Sequence, residues 1–113
     1  MLEPYQRFDN AVQYVEANYQ GPVRLADLAA LTDLSESQFS RRFKSVFHMT
    51  PARYLAKTRI AKACVALLAS DAPVTTVALD VGFCDHSYFT RRFRAHVGMT
   101  PSDYRRRFAA GGR

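Results

Sequence analysis

Residues Ser37 to Tyr54 read SQFSRRFKSVFHMTPARY, and Ser87 to Tyr104 read SYFTRRFRAHVGMTPSDY. Ser, Phe, Arg-Arg-Phe, Met-Thr-Pro and Tyr recur in register, every one displaced by the same step. A repeat this dense in a short chain marks one supersecondary unit used twice. Each copy holds a basic segment with helical spacing, followed by a Thr-Pro helix start.

On a wheel of about 100° per residue, Phe39, Phe43, Val46 and Phe47 fall on one side. Arg41 lies nearly opposite, beside Ser37, Lys44 and Ser45, with Ser40 at the edge of that outward face. Arg42 sits on the flank, where its stem can lie on apolar surface while the guanidinium reaches a phosphate or a carboxylate. In the second copy Phe89, Phe93 and Val97 face inward. Arg91 points out beside Ser87, Arg94 and Ala95, and His86 and Tyr88 stand near the helix start. One outward arginine is ordinarily a solvated charge. Two at the same wheel position in two copies suit a groove of a polyanion.

Working outward, Ser35 with Gln38 forms a capping-box pattern ahead of a helix over 36–47. Leu25 to Leu31 reads as a short helix with Leu28 and Leu31 inward, and Thr32-Asp33-Leu34 as a turn. The second copy repeats this with a short helix over 74–81, in which Val77 and Ala78 match Leu28 and Ala29. Its turn is one residue longer, with Gly82 suited to a left-handed helix end. Asp85 caps a helix over 86–97, and Gly98 ends it. Its counterpart His48 would hold the same left-handed position at greater cost.

Glu3 to Tyr19 reads as a packing helix with Phe8, Ala11, Val12, Val15 and Tyr19 on one face. Thr50-Pro51 opens a helix to about Ala69, with Tyr54, Ala61, Val65 and Leu68 as one apolar row, joined by Leu55, Ile60, Cys64 and Leu67. At about 1.5 Å per residue it spans about 28 Å, against about 34 Å for one turn of B-DNA. Thr100-Pro101 with Asp103 opens a last helix carrying Arg105-Arg106-Arg107.

The composition agrees with this. The chain has 113 residues, enough for one ordinary domain or two very small ones that share packing, and a formal charge of +6 suits a polyanion. No bilayer-spanning run or secretory signal is visible. The two cysteines, Cys64 and Cys84, fit reduced cytoplasmic thiols better than a disulfide framework. Cys84 and His86, with His48, Cys64 and His96 elsewhere, match no closed zinc spacing, so neither metal nor cofactor is expected. There is no glycine-rich phosphate loop, nucleophile elbow or paired carboxylate, which argues against an enzyme. A module whose partner is an acidic protein remains the alternative to a DNA-binding one.

At GFCDHSYFTRRFRAHVGMTPSDYR, residues 82–105, the chain resembles the AraC/XylS family of bacterial transcription regulators. Ala78, Gly82, Phe83, Asp85, Ser87, Tyr88, Phe89, Arg91, Phe93, Gly98, Thr100, Pro101, Tyr104 and Arg105 carry the match. Leu28, Ala29, Ser35, Phe39, Arg41, Phe43, Pro51, Tyr54 and Arg59 carry it in the first copy. His48 in place of a glycine and Cys84 in place of a small polar residue depart from it.

The resemblance implies an all-α fold of about seven helices. Residues 1–49 would form the N-terminal helix and first helix-turn-helix unit, 50–70 a linker helix, and 71–113 the second unit and C-terminal helix. It implies a sequence-specific regulator, more often an activator touching RNA polymerase, that reads adjacent major grooves of double-stranded DNA in the cytoplasm. Ser37, Ser40, Arg41, His86, Ser87, Tyr88 and Arg91 would read bases. Arg42, Lys44, Thr90, Arg92 and Arg94 would meet phosphates. No small-molecule site is expected within the chain. Whether it acts alone or as part of a longer protein stays open.

Overall fold

The computed structural model describes residues 3–109, with side chains from residue 8 onward. Among the described residues it is all-helical: α1 (Glu3–Asn18), α2 (Leu25–Ala30), α3 (Glu36–Phe47), α4 (Pro51–Ala69), α5 (Val74–Asp80), α6 (His86–Val97) and α7 (Pro101–Phe108). The chain divides into two compact units, Met1–Leu55 and Ala56–Arg113.

The first unit closes around Phe8, Ala11 and Val15 of α1, Leu28 and Ala29 of α2, and Phe39 and Phe43 of α3, all buried. The Phe8 ring meets Phe39 at 5.6 Å and Phe43 edge-on at 5.7 Å. Each such pair adds about 0.5–1.5 kcal/mol to the burial of the rings themselves. Tyr54, in the first turn of α4, seals the far end against Phe43 at 5.5 Å.

The second unit repeats the plan. Ile60, Ala63 and Leu67 are buried as Phe8, Ala11 and Val15 are, at the same three- and four-residue steps. Val77, Ala78, Phe89 and Phe93 complete that core, and Tyr104 of α7 meets Phe93 at 5.6 Å as Tyr54 meets Phe43. Helix α4 therefore serves twice. Its first turns close the first unit, and its remainder opens the second as α1 opens the first.

The part of the expected apolar face that ran through Ala61 and Val65 is overturned, while Ile60 and Leu67, expected beside it, are buried. Ala61 is exposed and Val65 is 67% exposed, while Ala56, Ile60, Ala63 and Leu67 are buried. The buried residues follow one stripe at steps of four, three and four residues, rotated from the row expected. Leu31 also departs from expectation at 40% exposed. Helix α2 ends at Ala30, and the inward place beyond it goes to Thr32, whose hydroxyl donates to the Ala29 carbonyl at 2.8 Å.

The caps form as expected. The Ser35 hydroxyl accepts from Gln38 N–H, and the Gln38 side chain accepts from Ser35 N–H. Thr50, Asp85 and Thr100 accept from the amides of Arg53, Tyr88 and Asp103. His48 and Gly98 both end their helices left-handed. The two turns match from Ala29 to Leu34 and from Ala78 to Phe83, each pair joined by an amide-to-carbonyl bond. Ser35 follows Leu34 directly, whereas Cys84 intervenes between Phe83 and Asp85. Cys84 is thus the extra residue of the second turn.

Arg105 leaves the charge run in which the sequence placed it. Its Nε donates to the Leu67 carbonyl at 2.9 Å, in the last turn of α4, where carbonyls lack helical partners and a cation suits the dipole. Nearby, burial pushes the Cys64 thiol upward, and a hydrogen bond with Tyr104 partly offsets the rise.

Candidate nucleic-acid interface

Helix α3 forms because apolar residues recur at helical spacing behind a capped N-terminus. Burying Phe39 and Phe43 fixes its rotation. Ser37, Arg41, Lys44 and Arg42 are then exposed together. Ser40 is not with them. It is half-buried and lines an open pocket of about 250 Å³ with Val23, Leu25, Leu28, Thr50, Pro51, Ala52 and Leu55.

Burying Phe89 and Phe93 sets α6 in the same way. His86, Ser87, Tyr88, Arg91 and Arg94 are exposed. Thr90 and Arg92 are half-buried on the flanks, and Arg92 Nη2 lies 3.2 Å from His96 Nε2. No acidic residue occurs in α6, and α3 carries only Glu36. Both outward faces are positive, with Arg41 and Arg42 exposed on α3 and Arg91 and Arg94 exposed on α6.

Two groups behind the second face were not legible as neighbours of the site. The guanidinium carbon of Arg59, on α4, lies 5.9 Å from the Phe83 ring centre. Phe83 in turn meets Tyr88 at 5.8 Å. Burial draws the Arg59 pKa down, and the proximity of Cys84 and Tyr88 partly restores it. Arg59 was visible only as a residue carrying the family resemblance, because a cation over a ring from another helix leaves no periodic trace.

Among the described residues no three His, Cys, Asp or Glu side chains gather as a metal site requires. Nor is any helix of the described residues long and apolar enough to cross a membrane.

Two helix pairs, each ending in a capped, basic outward helix, define a helix-turn-helix protein, and a helix-turn-helix domain model matches residues 28–107. The chain is 28% identical over 102 residues to the regulatory protein SoxS of Salmonella typhimurium, covering 90% of this chain and 95% of that one. An AraC-type transcriptional regulator from Chromobacterium violaceum superposes with a TM-score of 0.86 at 27% identity, covering 96% of each chain. The DNA-binding domain of AdpA, solved in complex with a target DNA, superposes with a TM-score of 0.78 at 28% identity and covers 88% of each chain. The chain belongs to the AraC/XylS family and is an AraC-type DNA-binding domain of a transcription regulator. The family is one of DNA-binding regulators, not of enzymes. Other curated relatives are much longer, and the chain spans 34% of their length.

Proposed function

We propose that one chain reads two successive major grooves of double-stranded DNA, α3 in one and α6 in the next. The observation that carries this is the recurrence of one outward face, Ser37-Arg41-Lys44 and Ser87-Arg91-Arg94, on two capped helices of a DNA-binding family. Arg41 and Arg91 are the principal base readers, because a guanidinium holds guanine O6 and N7 with two hydrogen bonds. Ser37, His86 and Ser87 flank them at the N-terminal turns, where recognition helices meet base edges. Lys44, Arg42, Arg92, Arg94 and the Thr90 hydroxyl serve phosphates, which position the protein without reading sequence. Ser40, facing its pocket, is the weakest of the expected base readers. The 19 residues of α4, about 28 Å of helix, suit readers about one duplex turn apart.

On the strength of family resemblance, the bound chain activates transcription through contact with RNA polymerase, in the cytoplasm with the nucleoid. Selection from a random duplex pool, followed by footprinting of a single bound molecule, tests the reading. Two boxes about one turn apart, protected on one side of the duplex, are expected. A single protected box, or binding without preference that disappears at moderate salt, overturns it and favours an acidic protein partner. Run-off transcription from a promoter bearing the selected site tests the activating role, and an unchanged yield refutes it.

A further inference from the structure

Tyr88 is among the residues expected to touch a base, and its surroundings point to a task for its ring as well. The guanidinium carbon of Arg91, one helical turn on, stands 5.8 Å from the centre of the Tyr88 ring, within cation–π range. The same ring meets Phe83 at 5.8 Å. Phe83 is buried, also packs against Phe89 at 5.1 Å, and has the Arg59 guanidinium 5.9 Å from its centre. These contacts form one line within the second unit, from α4 through the turn to the outward face of α6. In the first unit Gln38 stands where Tyr88 does, so no ring occupies that position, and its side chain is engaged in the Ser35 capping box.

We propose that Tyr88 is a positioning residue for Arg91, holding the guanidinium over its ring before DNA arrives, with Arg59 and Phe83 as the support behind it. This rests on Arg91 reading a base. A charge held in place loses less rotamer freedom on binding than one that must be ordered, so the face is preorganised for its base pair. Tyr88 then contributes to specificity through its π face, not its hydroxyl.

The test uses the full chain on three duplexes: the one enriched from a random pool, the same duplex with the Arg91 base pair changed, and a random one. Fluorescence anisotropy gives affinities, and circular dichroism shows that each variant is folded. Tyr88→Phe keeps the ring and is expected to match the parent on all three. Tyr88→Leu keeps apolar contact with Phe83 but removes the ring. It is expected to lose roughly two- to fivefold on the enriched duplex, the scale of an exposed cation–π contact, and nothing on the random one. In an Arg91→Ala background Tyr88→Leu is expected to lose nothing further. Arg59→Met is expected to follow Tyr88→Leu at smaller size and to be silent in the same background. Additive losses for Tyr88→Leu and Arg91→Ala, or a Tyr88→Phe loss as large as that of Tyr88→Leu, overturn the positioning role and leave Arg91 as a reader. Full discrimination by Arg91→Ala overturns the base-reading role of Arg91, and this proposal with it.

Discussion

At the end of α3 the backbone turns through His48 at φ 61°, and at the end of α6 through Gly98 at φ 90°. Between the helices of the first pair it turns through Asp33 at φ 58°, and in the second through Gly82 at φ 106°. The second unit meets both left-handed positions with glycine, and the first meets neither. The outward faces differ in the opposite sense. The first reader, Arg41, is exposed beside Ser37 and Lys44, while the second, Arg91, has an aromatic neighbour tied back to the core of its unit. A repeat thus conserves the backbone plan and the buried rings. It leaves strain and reader detail to vary independently, because neither changes which residues fill the core.

The largest test of that equivalence lies in the cores. Phe39 and Phe89 are both fully buried at matching positions, each between two other phenylalanine rings. Replacing either by alanine removes the ring and leaves a cavity. Phe39→Ala and Phe89→Ala are each expected to destabilise by about 3–5 kcal/mol, read by urea denaturation. A cost below about 1 kcal/mol at one position, the range of surface changes, breaks the correspondence of the two units.

Next in size is the pair of readers. Arg41→Ala and Arg91→Ala are each expected to cost about 1–3 kcal/mol on the selected duplex and to relax preference at one base pair. Lys44→Ala and Arg94→Ala sharpen the contrast. Each should weaken selected and random DNA alike and reduce the salt slope by about one. An arginine variant that weakens both kinds of DNA equally is a phosphate contact, and the assignment of its helix fails.

The fold was largely legible in the sequence, and the reasons are specific. Phe39, Phe43, Phe89 and Phe93 set the rotation of α3 and α6 through spacing alone. Ser35, Thr50, Asp85 and Thr100 mark helix starts because their caps are bonds to amides only a few residues away. What could not be read depends on distant parts of the chain. The Arg105 bond to the Leu67 carbonyl joins residues 38 apart, so nothing local set Arg105 apart from Arg106 and Arg107 in the charge run. Helix α4 misled because apolar residues such as Ala61 and Val65 also stand on its exposed side, so its wheel does not single out the buried face. At the interface, the exposed arginines follow from periodicity. The retreat of Ser40 into a pocket made by α2 and the start of α4, and the line from Arg59 to Tyr88, do not.

Smaller effects separate the two ways of starting the reader helices. Ser35 shares a reciprocal box with Gln38, whereas Asp85 accepts from the Tyr88 amide alone but can bring a negative charge to the helix start. Ser35→Ala and Asp85→Ala are both expected to cost about 1 kcal/mol in thermal unfolding. Added salt should erode the Asp85 contribution and leave that of Ser35 nearly unchanged, because only the former has an interaction with the dipole to screen. Equal salt dependence would remove the electrostatic part of this distinction.

The smallest effect tests the strain itself. Gly98 has nothing within 4 Å of where a Cβ would stand, so Gly98→Ala meets no steric obstacle and its cost is torsional. A non-glycine residue in the left-handed region costs about 1–2 kcal/mol. Loss of glycine's freedom in the unfolded chain returns about 0.4–1 kcal/mol. The expected result is a destabilisation of about 0.5–1 kcal/mol. His48→Gly runs the same balance backwards and is expected to stabilise by about 0.5 kcal/mol. Asp33→Gly should gain less, because an aspartate tolerates the left-handed conformation better than most residues do. If His48→Gly instead destabilises, the His48 side chain holds a contact that outweighs its backbone strain, and the absence of glycine there is a requirement of the first unit, not a tolerance.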